Sequence, residues 1–316
     1  MKTVLIVGLC IGGLLVVFIL FSAIAGNYFY NLALNSRKKK PVFSLGEADG
    51  MEGNEQPIST QEEKAWFCEN CHAVSLRSRD GIGLRAYQLD GPPDSNQWAI
   101  IVHGYTNCAA DFSCAAIHFR EKGFHVLAPD LRGHGASGGD TIGMGWLDRL
   151  DLIQWISWLL ERHADAQIVL YGVSMGAAAV LMATGEALPA NVKCAVEDCG
   201  YTSAEEQFSW VLKKEFHLPK VPIYYAASLI TRLRGRYWFS EASALNQVSK
   251  SRTPTLFIHG TNDAFVPFSM CGRLYEAAAC EKQTLAVEGA IHALSHRVAP
   301  TLYWETLFQF VQKHLD

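Results

Sequence analysis

From Trp66 onward the chain alternates short apolar runs with longer amphipathic stretches, and this restricts it to strands joined by crossover helices in a mostly parallel sheet. Eight runs read as strands: CHAVSLRSR, GLRAYQLD, QWAIIVHG, HVLAPD, QIVLYGV, VKCAVEDC, PTLFIHG and KQTLAVEG. Between them lie helical patterns such as DRLDLIQWISWLLERH, in which Leu150, Ile153, Trp155, Ile156 and Leu159 recur at helical spacing. The turn Asp80-Gly81 between the first two runs predicts an antiparallel hairpin at the start of the sheet. The fold class is therefore α/β. With 316 residues, 49% hydrophobic and 18% charged, the chain can bury the core of one large domain. Its net charge of -4 provides no basic field for phosphates, so nucleic acid is excluded as a partner.

The N-terminal segment is of another kind. From Val4 to Ala25 there is no charged residue, and at about 1.5 Å per residue this run can cross a hydrocarbon core of roughly 30 Å. A cleaved signal peptide would share the basic Lys2 and the small residues Ala23 and Ala25, but the apolar run is longer than such segments need. The expectation is a retained transmembrane helix over 4–25, with Tyr28, Phe29 and Tyr30 in the interfacial aromatic belt. Arg37, Lys38, Lys39 and Lys40 outweigh Lys2 and favour a cytoplasmic main domain. The nine scattered cysteines, an odd number, do not read as a disulfide framework. Residues 26–64 read as a juxtamembrane segment and flexible linker, since the stretch after RKKK is rich in Gly and Glu and poor in large apolar residues. The main domain then covers 65–316. Within it, about 201–240 breaks the alternation with Phe208, Trp210, Phe216, Tyr224, Tyr225, Tyr237 and Trp238 among basic residues. This insert reads as a helical cap over the C-terminal edge of the sheet, where open α/β sheets place ligands; alternatively its aromatics only pack it onto the body.

The stretch IVLYGVSMGAA holds a serine between two glycines at a strand end. A sharp turn from strand to helix would raise Ser174 over the sheet and leave no room for side chains at Gly172 and Gly176. At a helix N-terminus, free N–H groups favour a developing oxyanion. A serine hydroxyl needs a base, and that base needs an acid to fix its tautomer. Asp263 follows the strand PTLFIHG and His292 follows KQTLAVEG, both at the sheet edge expected for Ser174. Asp198, after the preceding strand, is the rival acid; His296 is expected on the next helix, and His103 and His259 read as structural. The oxyanion donors would be the N–H groups of Tyr105, in the loop after QWAIIVHG, and of Met175.

HGYT, APDLRGHGASGG, GVSMG, HGTNDAFVP and EGAIHALS, in this order, resemble the α/β-hydrolase superfamily of serine hydrolases, and in particular membrane-anchored bacterial esterase-like members. The resemblance covers roughly Ala65 to the C-terminus. It implies an α/β-hydrolase fold with Ser174, Asp263 and His292 as triad, Tyr105 and Met175 as oxyanion donors, and Asp130 to Gly135 as a structural brace. Ala177 stands where oligopeptidases carry a further glycine, which disfavours a serine peptidase. The implied activity is a serine hydrolase cleaving carboxylic esters or thioesters through an acyl-enzyme, with a small ester or acyl substrate and no metal or organic cofactor. The rival class is a non-catalytic scaffold of the same fold. Cys68-Glu69-Asn70-Cys71-His72 matches a haem-attachment pattern but precedes a strand of an α/β domain, so a redox pair or plain strand cysteines are expected. Cys108 and Cys114 read as small buried hydrophobes.

Overall fold

A computed structural model describes residues 2–37 and 57–315. All eight predicted strands form, as β1 (His72–Arg77), β2 (Gly83–Leu89), β3 (Gln97–Val102), β4 (His125–Pro129), β5 (Gln167–Val173), β6 (Val192–Asp198), β7 (Thr255–Gly260) and β8 (Lys282–Val287). They make one sheet in the order β1-β2-β4-β3-β5-β6-β7-β8. The hairpin is antiparallel, β2 also runs antiparallel to β4, and all later pairings are parallel. Gly81 takes the positive φ of 88° that the hairpin turn needs.

The helices are α1 (Lys2–Ala33), α2 (Gln61–Asn70), α3 (Ser113–Glu121), α4 (Asp148–Leu160), α5 (Met175–Thr184), α6 (Ala204–Lys214), α7 (Ile223–Gly235), α8 (Ala244–Val248), α9 (Ser269–Ala277), α10 (Ser295–Val298) and α11 (Pro300–His314). Alternate residues of a strand enter opposite cores, as the period of two requires. Trp98, Ile100 and Val102 of β3 face the core under α4, α5, α8 and α9, whereas Ala99 and Ile101 face the core under α3 and α11. The central strands are buried on both faces, which is why they read as unbroken apolar runs.

Three expectations change at the N-terminal side. First, α1 does not stop near Ala25. The segment Gly26 to Ala33 contains no proline and keeps apolar side chains in step, so the helix continues and docks on the domain. Second, of the three residues expected at a membrane interface only Tyr28 is exposed, at 57%. Phe29 packs edge-on against Phe208 and Phe216, and Tyr30 hydrogen-bonds Thr141 at 2.6 Å. At the crossing with α7, a Cβ on Gly26 would meet the backbone of Ala226 at 2.6 Å, so only glycine lets the two helices touch there. Third, the linker predicted over 26–64 is ordered at both ends. Thr60 and Glu63 form a reciprocal capping box that starts α2 at Gln61. The rest of that linker, 38–56, lies outside the described residues.

The insert folds as α6 and α7 beside the C-terminal edge of the sheet. Phe208, Tyr224 and Phe239 cluster with ring centroids 5.0 to 6.5 Å apart, and the Tyr237 hydroxyl donates to the carbonyl of Ile142 at 2.8 Å. The ring cluster packs the insert on itself, Tyr237 ties it to the body, and Phe208 also lines a cavity.

Candidate active site

Ser174 caps α5 at the end of β5 with φ 57° and ψ −118°, a conformation that L-residues rarely adopt and that is retained where surrounding structure enforces it. The two glycines supply space rather than unusual dihedrals. A Cβ on Gly176 would lie 2.1 Å from the Val102 carbonyl oxygen, and one on Gly172 would lie 2.4 Å from the Gly176 carbonyl oxygen. The helix start is thereby pressed onto the strand ends, and the serine is the residue pushed out.

His292 comes from the loop after β8 and Asp263 from the loop after β7. The Nδ1 of His292 stands 2.6 Å from Asp263 Oδ2, and its Nε2 stands 2.8 Å from Ser174 Oγ. A carboxylate can only accept, so Nδ1 carries the proton and Nε2 is left to accept from the serine hydroxyl. All three residues are buried, with Ser174 at 7% exposure. Asp263 is held from every side: Oδ1 accepts from the N–H groups of Phe265 and Val266, and Oδ2 also receives His259 Nε2 at 3.2 Å. Burial pushes the Asp263 carboxyl up, but the two histidines outweigh it and hold it well below the usual carboxylate range. Burial likewise works to lower His259, yet the hydrogen bond and charge of Asp263 prevail and raise it to about 11.

Ser174 opens onto a cavity of about 570 Å³, part of it open to solvent, whose lining includes Tyr105, Met175, Phe208, Phe239 and Phe265. Tyr105 and Met175 thus share a cavity wall with the serine. Met175 is the first residue of α5, where helical N–H groups have no partner within the helix. His134 Nε2 donates to the carbonyl of Tyr105 and fixes the Tyr105–Thr106 peptide, the one that follows the Tyr105 N–H.

A family model for the alpha/beta hydrolase fold matches residues 99–223. The uncharacterized protein YqkD of Bacillus subtilis (strain 168) is 31% identical over 246 residues, which is 77% of this chain and 80% of that protein. The chain belongs to the α/β-hydrolase superfamily. The uncharacterized membrane protein YNL320W of Saccharomyces cerevisiae is 24% identical over 241 residues, 75% of this chain and 78% of the yeast protein. Among solved structures, the Pyrococcus furiosus esterase Pf2001 aligns with a TM-score of 0.65 at 22% identity, covering 84% of this chain and 98% of the esterase, and so shares its fold.

Within this α/β-hydrolase fold the rival residues have other partners. Asp198 Oδ2 accepts from the Tyr303 hydroxyl at 2.9 Å, and burial pushes its carboxyl up to about 6. His296 lies on α10 and contacts the Ile58 carbonyl at 3.0 Å. His103 Nδ1 donates to the Gly104 carbonyl while its Nε2 accepts from Leu131 N–H. The brace is built from Asp130, which accepts from Ala109 and Ala136, and from Arg132, which makes a bidentate pair with Asp151. His259 is the residue that sequence reasoning undervalued: it touches the same carboxylate oxygen as His292, and its four-residue spacing from Asp263 was the available signal.

Cys199, Asp263 and His292 are, among the described residues, the one cluster with metal-ligand spacing, with donor atoms within 4.8 Å. The set suits acid-base work better than a cation. Burial, reinforced by Asp198 and Asp263, holds the Cys199 thiol well above its ordinary pKa, and Asp263 and His292 already share a proton. Cys68 and Cys71 are free thiols beside the first strand.

Proposed function

We propose that the chain is a membrane-anchored serine hydrolase that cleaves carboxylic esters or thioesters through an acyl-enzyme. The observation that carries this reading is the unbroken hydrogen-bonded row from Ser174 through His292 to Asp263, opening on an apolar cavity. Ser174 Oγ forms a bond to the acyl carbon as its proton passes to His292 Nε2. The negative charge on the carbonyl oxygen is met by the N–H groups of Tyr105 and Met175. The bond to the leaving group breaks as His292 returns the proton to it. Water then repeats the sequence on the acyl-enzyme and frees the acid. Asp263 orients His292 and stabilises its charged form throughout, and the residues of this chain suffice without a metal or organic cofactor.

The uncharged, solvent-exposed run from Val4 to Ile24 supports anchoring in a membrane, and the basic cluster from Arg37 supports a cytoplasmic domain. Labelling with a fluorophosphonate tests the chemistry. Wild-type protein is expected to label and Ser174→Ala to lose the label; an unlabelled wild type, or equal labelling of the variant, overturns the assignment.

A further inference from the structure

We infer that the last turn of α1 is part of the substrate pocket, with Ala33 and Leu34 forming a wall beside Ser174 that sets how long an acyl chain the site accepts. The inference rests on the serine-hydrolase reading of that site and adds the substrate class, esters of flexible alkyl acids.

Four observations place the end of the helix there. Ala33 and Leu34 line the same cavity as Ser174 and Met175. The hydroxyl of Tyr105, the residue whose N–H is the proposed oxyanion donor, donates to the carbonyl of Ala33. That carbonyl belongs to the last turn of α1, where helical carbonyls lack internal partners, so the tyrosine caps the helix as it anchors its own loop. The Leu34 carbonyl in turn accepts from Ile142 N–H at 2.9 Å, and Phe29 supports Phe208, another wall residue, from behind. The helix that runs up from the proposed membrane segment is thus bonded to the oxyanion loop without an intervening linker.

The lining indicates what the cavity accepts. Among the described residues it contains no charged side chain. Its other polar side chains are largely committed to the protein: Tyr105 donates to Ala33 and Tyr201 to Met144, while Gln207 gives one amide N–H to the carbonyl of Phe265 and leaves its oxygen unpartnered. Apart from Ser174 and the second amide N–H of Gln207, no side chain among the described lining residues offers a hydrogen to a sugar, phosphate or peptide group. An alkyl chain asks for none, and Leu34, Phe208 and Phe239 give it apolar contact. Each methylene that finds room adds roughly fourfold to binding, so a change at the wall reads directly as a change in preferred chain length.

The test uses full-length protein in detergent with p-nitrophenyl esters from acetate to dodecanoate, and reads the ratio of kcat/KM between long and short chains. Leu34→Trp, which fills space equal to about two methylenes, is expected to move the optimum to shorter chains and lower that ratio by roughly tenfold or more. Leu34→Ala is expected to move it the other way, and because it only removes atoms it decides the matter alone if the tryptophan variant does not fold. Unchanged profiles in variants that still take the fluorophosphonate at Ser174 overturn the inference and leave the triad standing. Loss of labelling in the wild type overturns the serine-hydrolase reading instead.

Discussion

At the scale of single residues, the two buried aspartates near His292 make opposite predictions. Asp263 fixes the tautomer of His292, so Asp263→Asn, which can present a donor to Nδ1, is expected to cut kcat by roughly 10³ to 10⁴. Asp198 accepts from Tyr303, a bond that an asparagine oxygen can keep, so Asp198→Asn is expected to cost less than tenfold. Steady-state kinetics of both variants on one ester separates the two roles, and equal losses would contradict the assignment. The meeting of Ser174, His292 and Asp263 was legible because each follows a strand in the order expected for this turn geometry, and strand ends are easy to find in runs such as PTLFIHG. The role of His259 was legible only in its four-residue spacing from Asp263. That signal is weak because a histidine at a strand end looks structural, and it is the turn at Asp263 that brings the ring to the carboxylate.

At the scale of elements, strands were read more accurately than helix ends. A doubly buried strand declares itself by composition, whereas the end of a helix depends on what it meets. The predominantly apolar run of α1 gives way to Gly26 and Asn27 after Ala25, yet the helix continues because Phe29, Leu32 and Leu34 find a protein surface to pack on. The start of α2 carried a local signal, Thr60 with Glu63 three residues on, hidden by the polar composition around it. The same division of α1 into an exposed part and a docked part predicts its behaviour. With large apolar residues from Val4 to Ile24 left uncovered, the full chain is expected to stay in the membrane pellet through alkaline carbonate extraction. Its appearance in the supernatant would mean that the docked end, and not a membrane span, is the helix's whole purpose.

At the scale of the whole molecule, the groups buried under the active site couple stability to pH. Burial pushes the Glu197 carboxyl from an ordinary 4.5 up to about 8, with His259 and the Gly200 N–H only partly opposing it. The native state therefore holds this proton more tightly than the unfolded chain does. The resulting stability is complete below about 4.5 and is lost as pH rises through about 8. The raised His259 acts in the same direction over a higher range, with its contribution present below its ordinary value and lost as pH climbs to about 11. Asp263 acts oppositely: its depressed carboxyl stabilises the fold above its ordinary value, and that contribution disappears as acid protonates it. The raised groups predict a decline of stability on the alkaline side, to which Glu197 contributes on the order of a few kcal/mol. Glu197→Gln removes the titrating proton while keeping an acceptor for Gly200. Thermal unfolding in detergent between pH 5 and 9 is expected to show the wild type losing stability faster than the variant, with the gap widening through pH 8. Curves that stay parallel across that range would mean the Glu197 carboxylate is already accommodated in the fold as an anion.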